Sequence, residues 1–97
     1  MKIFKWREQR AAMEYAARGW QALHVFPPSP FMKIPARHPS FKRANKWAHL
    51  FDQDYLRLLE TSRKLGIASA IVEHFNQPGQ HVDLCGKPLA KAMKAAE

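Results

Sequence analysis

Hydrophobic and polar positions along the chain switch between helical and strand periods. Residues 5–19 are rich in good helix formers and hold no proline. Trp6, Met13, Ala17 and Trp20 recur at helical spacing there and predict one apolar stripe, with Arg7, Glu14 and Arg18 on another face. Gly19 suits the position just past a helix end. Trp20 to Phe26 then alternates, with Leu23 and Val25 on one face and Ala22, His24 and Phe26 on the other, which predicts a strand with His24 as a structural histidine on its face. Pro27-Pro28 stops it, because proline has no N–H for a ladder.

Trp47-Ala48-His49-Leu50-Phe51 reads as a second strand. Asp52-Gln53-Asp54 offers a cap and negative charge for a helix start, and that helix runs to Leu65, with Tyr55, Leu58, Leu59, Ser62 and Leu65 inward and Gly66 closing it. Ile71 to Cys85 reads as two short strands joined at the turn dipeptide Pro78-Gly79. In the second arm His81, Asp83 and Cys85 point one way, Val82 and Leu84 the other. Pro88 opens a last helix with Leu89, Ala92 and Met93 on its apolar edge and Lys87, Lys91 and Lys94 opposite. The pattern predicts helices over most of 6–18, 53–65 and 88–95 and strands near 21–26 and 80–84. That is an α+β fold: a small sheet of three or four strands with about three helices packed on one side.

Length and composition narrow the setting. Ninety-seven residues make one domain, with an N-terminal helix over 1–19, a proline-rich basic loop over 27–45 and a core over 47–96. No apolar run is long enough to span a membrane, and residues 1–7 lack a secretory pattern. The single cysteine, Cys85, has no internal disulfide partner, so a reducing cytoplasm is the expected location. As a small half-buried residue Cys85 needs no further role; a nucleophile there would want an activating base.

Charge changes the picture more. Residues 1–50 carry ten basic and two acidic side chains, whereas residues 51–97 carry six of each, so the whole net charge of +8 falls in the first half. A one-sided basic field attracts phosphates or an acidic protein face. Within it, Pro27, Pro28, Pro30, Pro35 and Pro39 stiffen a long loop that interleaves aromatic and basic groups. Lys33, Arg37, Lys42, Arg43 and Lys46 are the candidate contacts, with Phe31, Phe41 and Trp47 as stacking or anchoring groups.

The other chemistry lies in the second half. His49, His81 and Asp83, with His74 near by on the first arm, offer two imidazoles and a carboxylate that suit a divalent metal or acid–base work. The bland reading makes His81 and Asp83 a pair that ties the hairpin to its neighbour. The chain has no Gly-rich phosphate loop, no Gly-x-Ser-x-Gly, no His-Glu-x-x-His, no Cys-x-x-Cys and no recognised nucleic-acid module.

The block Trp47-Ala48-His49-Leu50, then Leu65-Gly66-Ile67, then His81-Val82-Asp83-Leu84-Cys85 and Ala90-Lys91-Ala92 resembles an uncharacterised family of bacterial and phage proteins known as domain of unknown function 4031. The resemblance covers residues 47–96 and rests on His49, the Leu65-Gly66 pair, His81 and Asp83. Val82 stands where that family has an aromatic residue, and Phe26-Pro27-Pro28 stands where its early strand ends in Val-Asp-Asp. The resemblance implies a fold and a phage or bacterial setting but no reaction.

Three functions are open at this point. The first is a small non-enzymatic protein that uses its basic surface to bind nucleic acid or an acidic protein, host proteins included, with no membrane and no cofactor. The alternative is a metal-dependent, hydrolase-like site built from His49, His81 and Asp83. The third is a structural subunit that forms homo-oligomers through its aromatics.

Overall fold

A computed structural model describes residues 1–27 and 46–96. It shows the α+β class and adds one strand, β1, at an edge of the sheet. The described elements are β1 (Lys2–Phe4), a 3-10 turn (Trp6–Glu8), α1 (Gln9–Ala17), β2 (Ala22–Phe26), β3 (Trp47–Phe51), α2 (Tyr55–Lys64), β4 (Val72–Glu73), β5 (His81–Cys85) and α3 (Gly86–Ala95). The sheet order is β1-β2-β3-β5-β4. β1 runs parallel to β2, with α1 as the crossover that a parallel pair requires; the other pairs are antiparallel. β1 has three residues, too few to show an alternating pattern, which is why the sequence predicts a smaller sheet.

Alternation along the three central strands makes two buried faces. Leu23, Ala48, Leu50, Val82 and Leu84 face α2 and α3 and pack with Leu58, Leu65, Leu89 and Ala92. The opposite face carries Phe4, Ala22 and Phe51 under Ala12 and Ala16 of α1. The helices therefore cover both faces, not one. The apolar stripe of the first helix also differs from expectation. Trp6 and Trp20 are more than half exposed and Ala17 is exposed, while the small residues Ala12 and Ala16 are buried. Alanines let α1 lie close against the aromatics of β1 and β3, leaving no room beneath it for an indole.

The other elements follow the pattern. Asp54 caps α2 by accepting from the Arg57 backbone N–H at 3.0 Å. Gly66 takes a left-handed φ of 97° just past α2, a conformation that costs glycine little. α3 begins at Gly86, two residues before Pro88, which still lies in the first turn where a missing N–H costs nothing. The first arm of the hairpin shrinks to β4, because His74 and Asn76 adopt φ values of 54° and 58° and leave the extended region.

The corner after β3 is a polar junction. Asp52 is fully buried and takes a two-pronged bond from Arg57, Nε to Oδ2 at 2.8 Å and Nη2 to Oδ1 at 2.7 Å, plus one from Gln21 Nε2 at 2.9 Å. Gln80, also buried, donates to the Asp52 carbonyl at 2.8 Å and fixes where β5 starts. Among the described residues no helix is long and apolar enough to cross a membrane.

Candidate functional site

β2, β3 and β5 each place one polar side chain into a row on the face that α1 partly covers. The register sets His24 opposite His49 and His49 opposite Asp83, and His81 lies two residues before Asp83 on the same face of β5. Phe26, Trp47 and Cys85 close one end of the row as a buried cluster, and Phe51 flanks the other, with its ring centroid 5.3 Å from those of both His49 and His81.

Within this frame three side chains converge. His49 Nε2 lies 3.7 Å and His81 Nε2 3.3 Å from Asp83 Oδ1. One ligand atom from each residue falls inside a 4.8 Å set. The three side chains are between 12 and 24% exposed, so the group is open to solvent at its rim only.

Hydrogen bonds determine which ring nitrogens carry protons. His24, 2% exposed, points Nε2 at the Trp6 carbonyl at 2.8 Å. A carbonyl only accepts, so this nitrogen donates and His24 Nδ1 is left as an acceptor. His49 Nδ1 lies 3.3 Å from it and must be the donor. His81 Nδ1 donates to the Gly79 carbonyl at 2.7 Å. Neutral His49 therefore presents an Nε2 lone pair toward the carboxylate, whereas His81 Nε2 donates to Asp83 while that ring is protonated and presents a lone pair once it is neutral.

Electrostatics follow from this crowding. Burial, then the neighbouring His81, push the His49 pKa down to about 4 against the pull of Asp83, so His49 is neutral near pH 7. Burial likewise lowers His24. For His81 burial acts downward too, but the Asp83 and Gly79 hydrogen bonds and the charges of Asp83 and Glu73 outweigh it and raise the pKa. Cys85 is buried, and burial together with the Asp83 charge raises its thiol, which disfavours a nucleophilic thiolate.

His81 and Asp83 thus share a face as the alternation of β5 predicts, and the β3–β5 register brings His49 beside them. His24 joins them through His49, a partnership set by the β2–β3 register and invisible in a single strand's pattern. His74 lies at the rim, its ring centroid 5.7 Å from that of His81. Of the basic-surface candidates, Lys46 is exposed, whereas Trp47 is only 4% exposed and packs on Phe26 instead of facing solvent. A residue two before His49 shares its face, and that face is covered at this end. Phe31, Lys33, Arg37, Phe41, Lys42 and Arg43 lie outside the described residues.

Comparison of the chain with protein-family models, with curated proteins and with solved structures gives no match.

Proposed function

We propose that this protein binds a divalent transition metal through His49 Nε2, His81 Nε2 and an Asp83 oxygen, and that the centre supports hydrolase-type chemistry. The observation that carries this is the convergence of two imidazole lone pairs and a carboxylate, with each Nδ1 already committed as a donor. Without a metal, a proton on His81 Nε2 bonded to Asp83 holds the group together; once that proton leaves, a cation can take its place among the three acceptors. Ligands on a tetrahedral ion at about 2.1 Å sit about 3.4 Å apart, close to the 3.3 and 3.7 Å from each imidazole to Asp83; the set as a whole spans up to 4.8 Å, so it would tighten on an ion. Imidazole donors favour zinc, iron, copper or nickel over magnesium or calcium. Three protein ligands leave a position open, where a bound ion acidifies water and polarises an ester or amide oxygen. The reading keeps the likeness of residues 47–96 to domain of unknown function 4031 as part of the proposal, since the same His49, His81 and Asp83 carry both.

Zinc titration by calorimetry tests it. One ion per chain is expected, with a thermal shift and with proton release, because the ion displaces the proton that His81 shares with Asp83. Neither heat nor thermal shift would leave only a His–Asp pair that ties β5 to β3.

A second reading is polyanion binding by the basic half. Its support among the described residues is the exposed Trp6 ring with the Arg7 guanidinium 4.8 Å from its centroid, beside the exposed Lys2, Lys5 and Arg10.

A further inference from the structure

Beside the three converging ligands stands a fourth imidazole in an unusual backbone setting. His74 is exposed and has a φ of 54°, a left-handed conformation that few non-glycine residues adopt. The surrounding turn holds it there: the His74 carbonyl accepts from Gln77 N at 3.0 Å, and Asn76 N donates to Gln80 Oε1 at 2.8 Å. Gln80 is itself buried and fastened to the Asp52 carbonyl at the end of β3. The chain thus fixes a strained position next to His81 and directs an imidazole from it, as strained residues at functional sites do.

The ring distances fit a shared ion. A ligating imidazole has its centroid about 3.2 Å from the metal, so two on a tetrahedral ion lie about 5.2 Å apart. The His49–His81 centroids are 4.6 Å apart and the His74–His81 centroids 5.7 Å. His74 is not among the ligand atoms within 4.8 Å of one another, but it is an exposed side chain whose ring can rotate toward the centre. We propose that His74 closes on the metal as a fourth ligand. The inference rests on the metal reading above. His74 and water then compete for the fourth position, so hydrolase-type chemistry requires His74 to leave the ion or the ion to become five-coordinate.

Zinc binding and zinc-edge X-ray absorption on the full chain test this, with His74→Asn and His74→Gly as variants. Asparagine and glycine both tolerate the left-handed conformation, so neither change should lower the melting temperature of the metal-free chain much. The expected result is three imidazoles per zinc in the parent and two in either variant, with zinc affinity reduced roughly tenfold or more. Equal affinity and an unchanged imidazole count in both variants would overturn the role of His74 while leaving the three-residue centre intact. No zinc uptake by the parent would overturn the metal reading and this inference together.

Discussion

The His49 imidazole sits between His24, His81 and Asp83, and its neutral state follows from burial and from the second imidazole at its side. In the unfolded chain it titrates near 6.5, in the folded chain near 4. Between those values the unfolded state holds more protons, so the His49 contribution makes stability fall as pH drops through that window. His81 has the opposite sign. Its raised pKa contributes stability that is complete below 6.5 and is lost as pH rises through the folded value. Replacing His49 with leucine should therefore flatten the loss of urea stability between pH 6.5 and about 4; a slope equal to the parent's would show that His49 is not held neutral. His24 acts through His49. His24→Phe keeps an aromatic under Trp6 but removes the acceptor for His49 Nδ1, and zinc affinity should fall about 10- to 100-fold, as when an outer-shell partner of a ligand is lost. Unchanged affinity in a competition titration would remove His24 from the site. At this scale the sequence is readable for His81 and Asp83, because a two-residue period fixes a shared face. It is silent on His24, because pairing across strands depends on register.

Elements carry the alignment. β3 ends at Phe51, and the next residue, Asp52, joins β3, α2, the end of α1 and the start of β5 through Arg57, Gln21, Gly19 and Gln80. Arg57 Nη2 reaches the Gly19 carbonyl at 2.8 Å while also holding the carboxylate. Arg57→Ala would leave Asp52 buried with only neutral partners, and should cost about 3 kcal/mol, the lower end for a broken buried pair. Urea unfolding measures this; a loss below about 1 kcal/mol would mean that the junction behaves as an exposed pair. The Asp52-Gln53-Asp54 stretch reads as a helix start from sequence, and Asp54 fills that role. The burial of Asp52 is not readable, since capping needs one acid and the second is claimed by residues from distant elements. β1 is hidden for a different reason: a strand of three residues exists only because a longer neighbour pairs with it.

At the level of the whole molecule, helices on both faces leave the polar row partly covered by α1 and flanked by the aromatic cluster of Phe26 and Trp47. Amphipathic periods show which side of each helix is apolar but not which face of the sheet it meets, so the layering was not legible. The charge distribution was. All net positive charge falls in residues 1–50, and polyanion binding by that half should weaken steeply with salt, about one unit of log–log slope for each phosphate contact. The triple change Arg37→Ala, Lys42→Ala, Arg43→Ala should weaken oligonucleotide binding and reduce that slope by about three at most, while zinc binding stays as in the parent. Equal binding by the triple variant would make the basic half a solvated surface.

The central claim is that two histidine lone pairs and one carboxylate share a metal. Long-range proton–nitrogen NMR of the histidine rings tests it most directly, because each ring nitrogen reports separately whether it bears a proton, a lone pair or a metal. Near neutral pH and without metal, His49 should show Nδ1 protonated and Nε2 bare. One equivalent of zinc should move the Nε2 signals of His49 and His81 to coordinated positions while both Nδ1 protons stay in place. A His49 ring protonated at Nε2, or Nε2 signals that ignore zinc, would contradict the account.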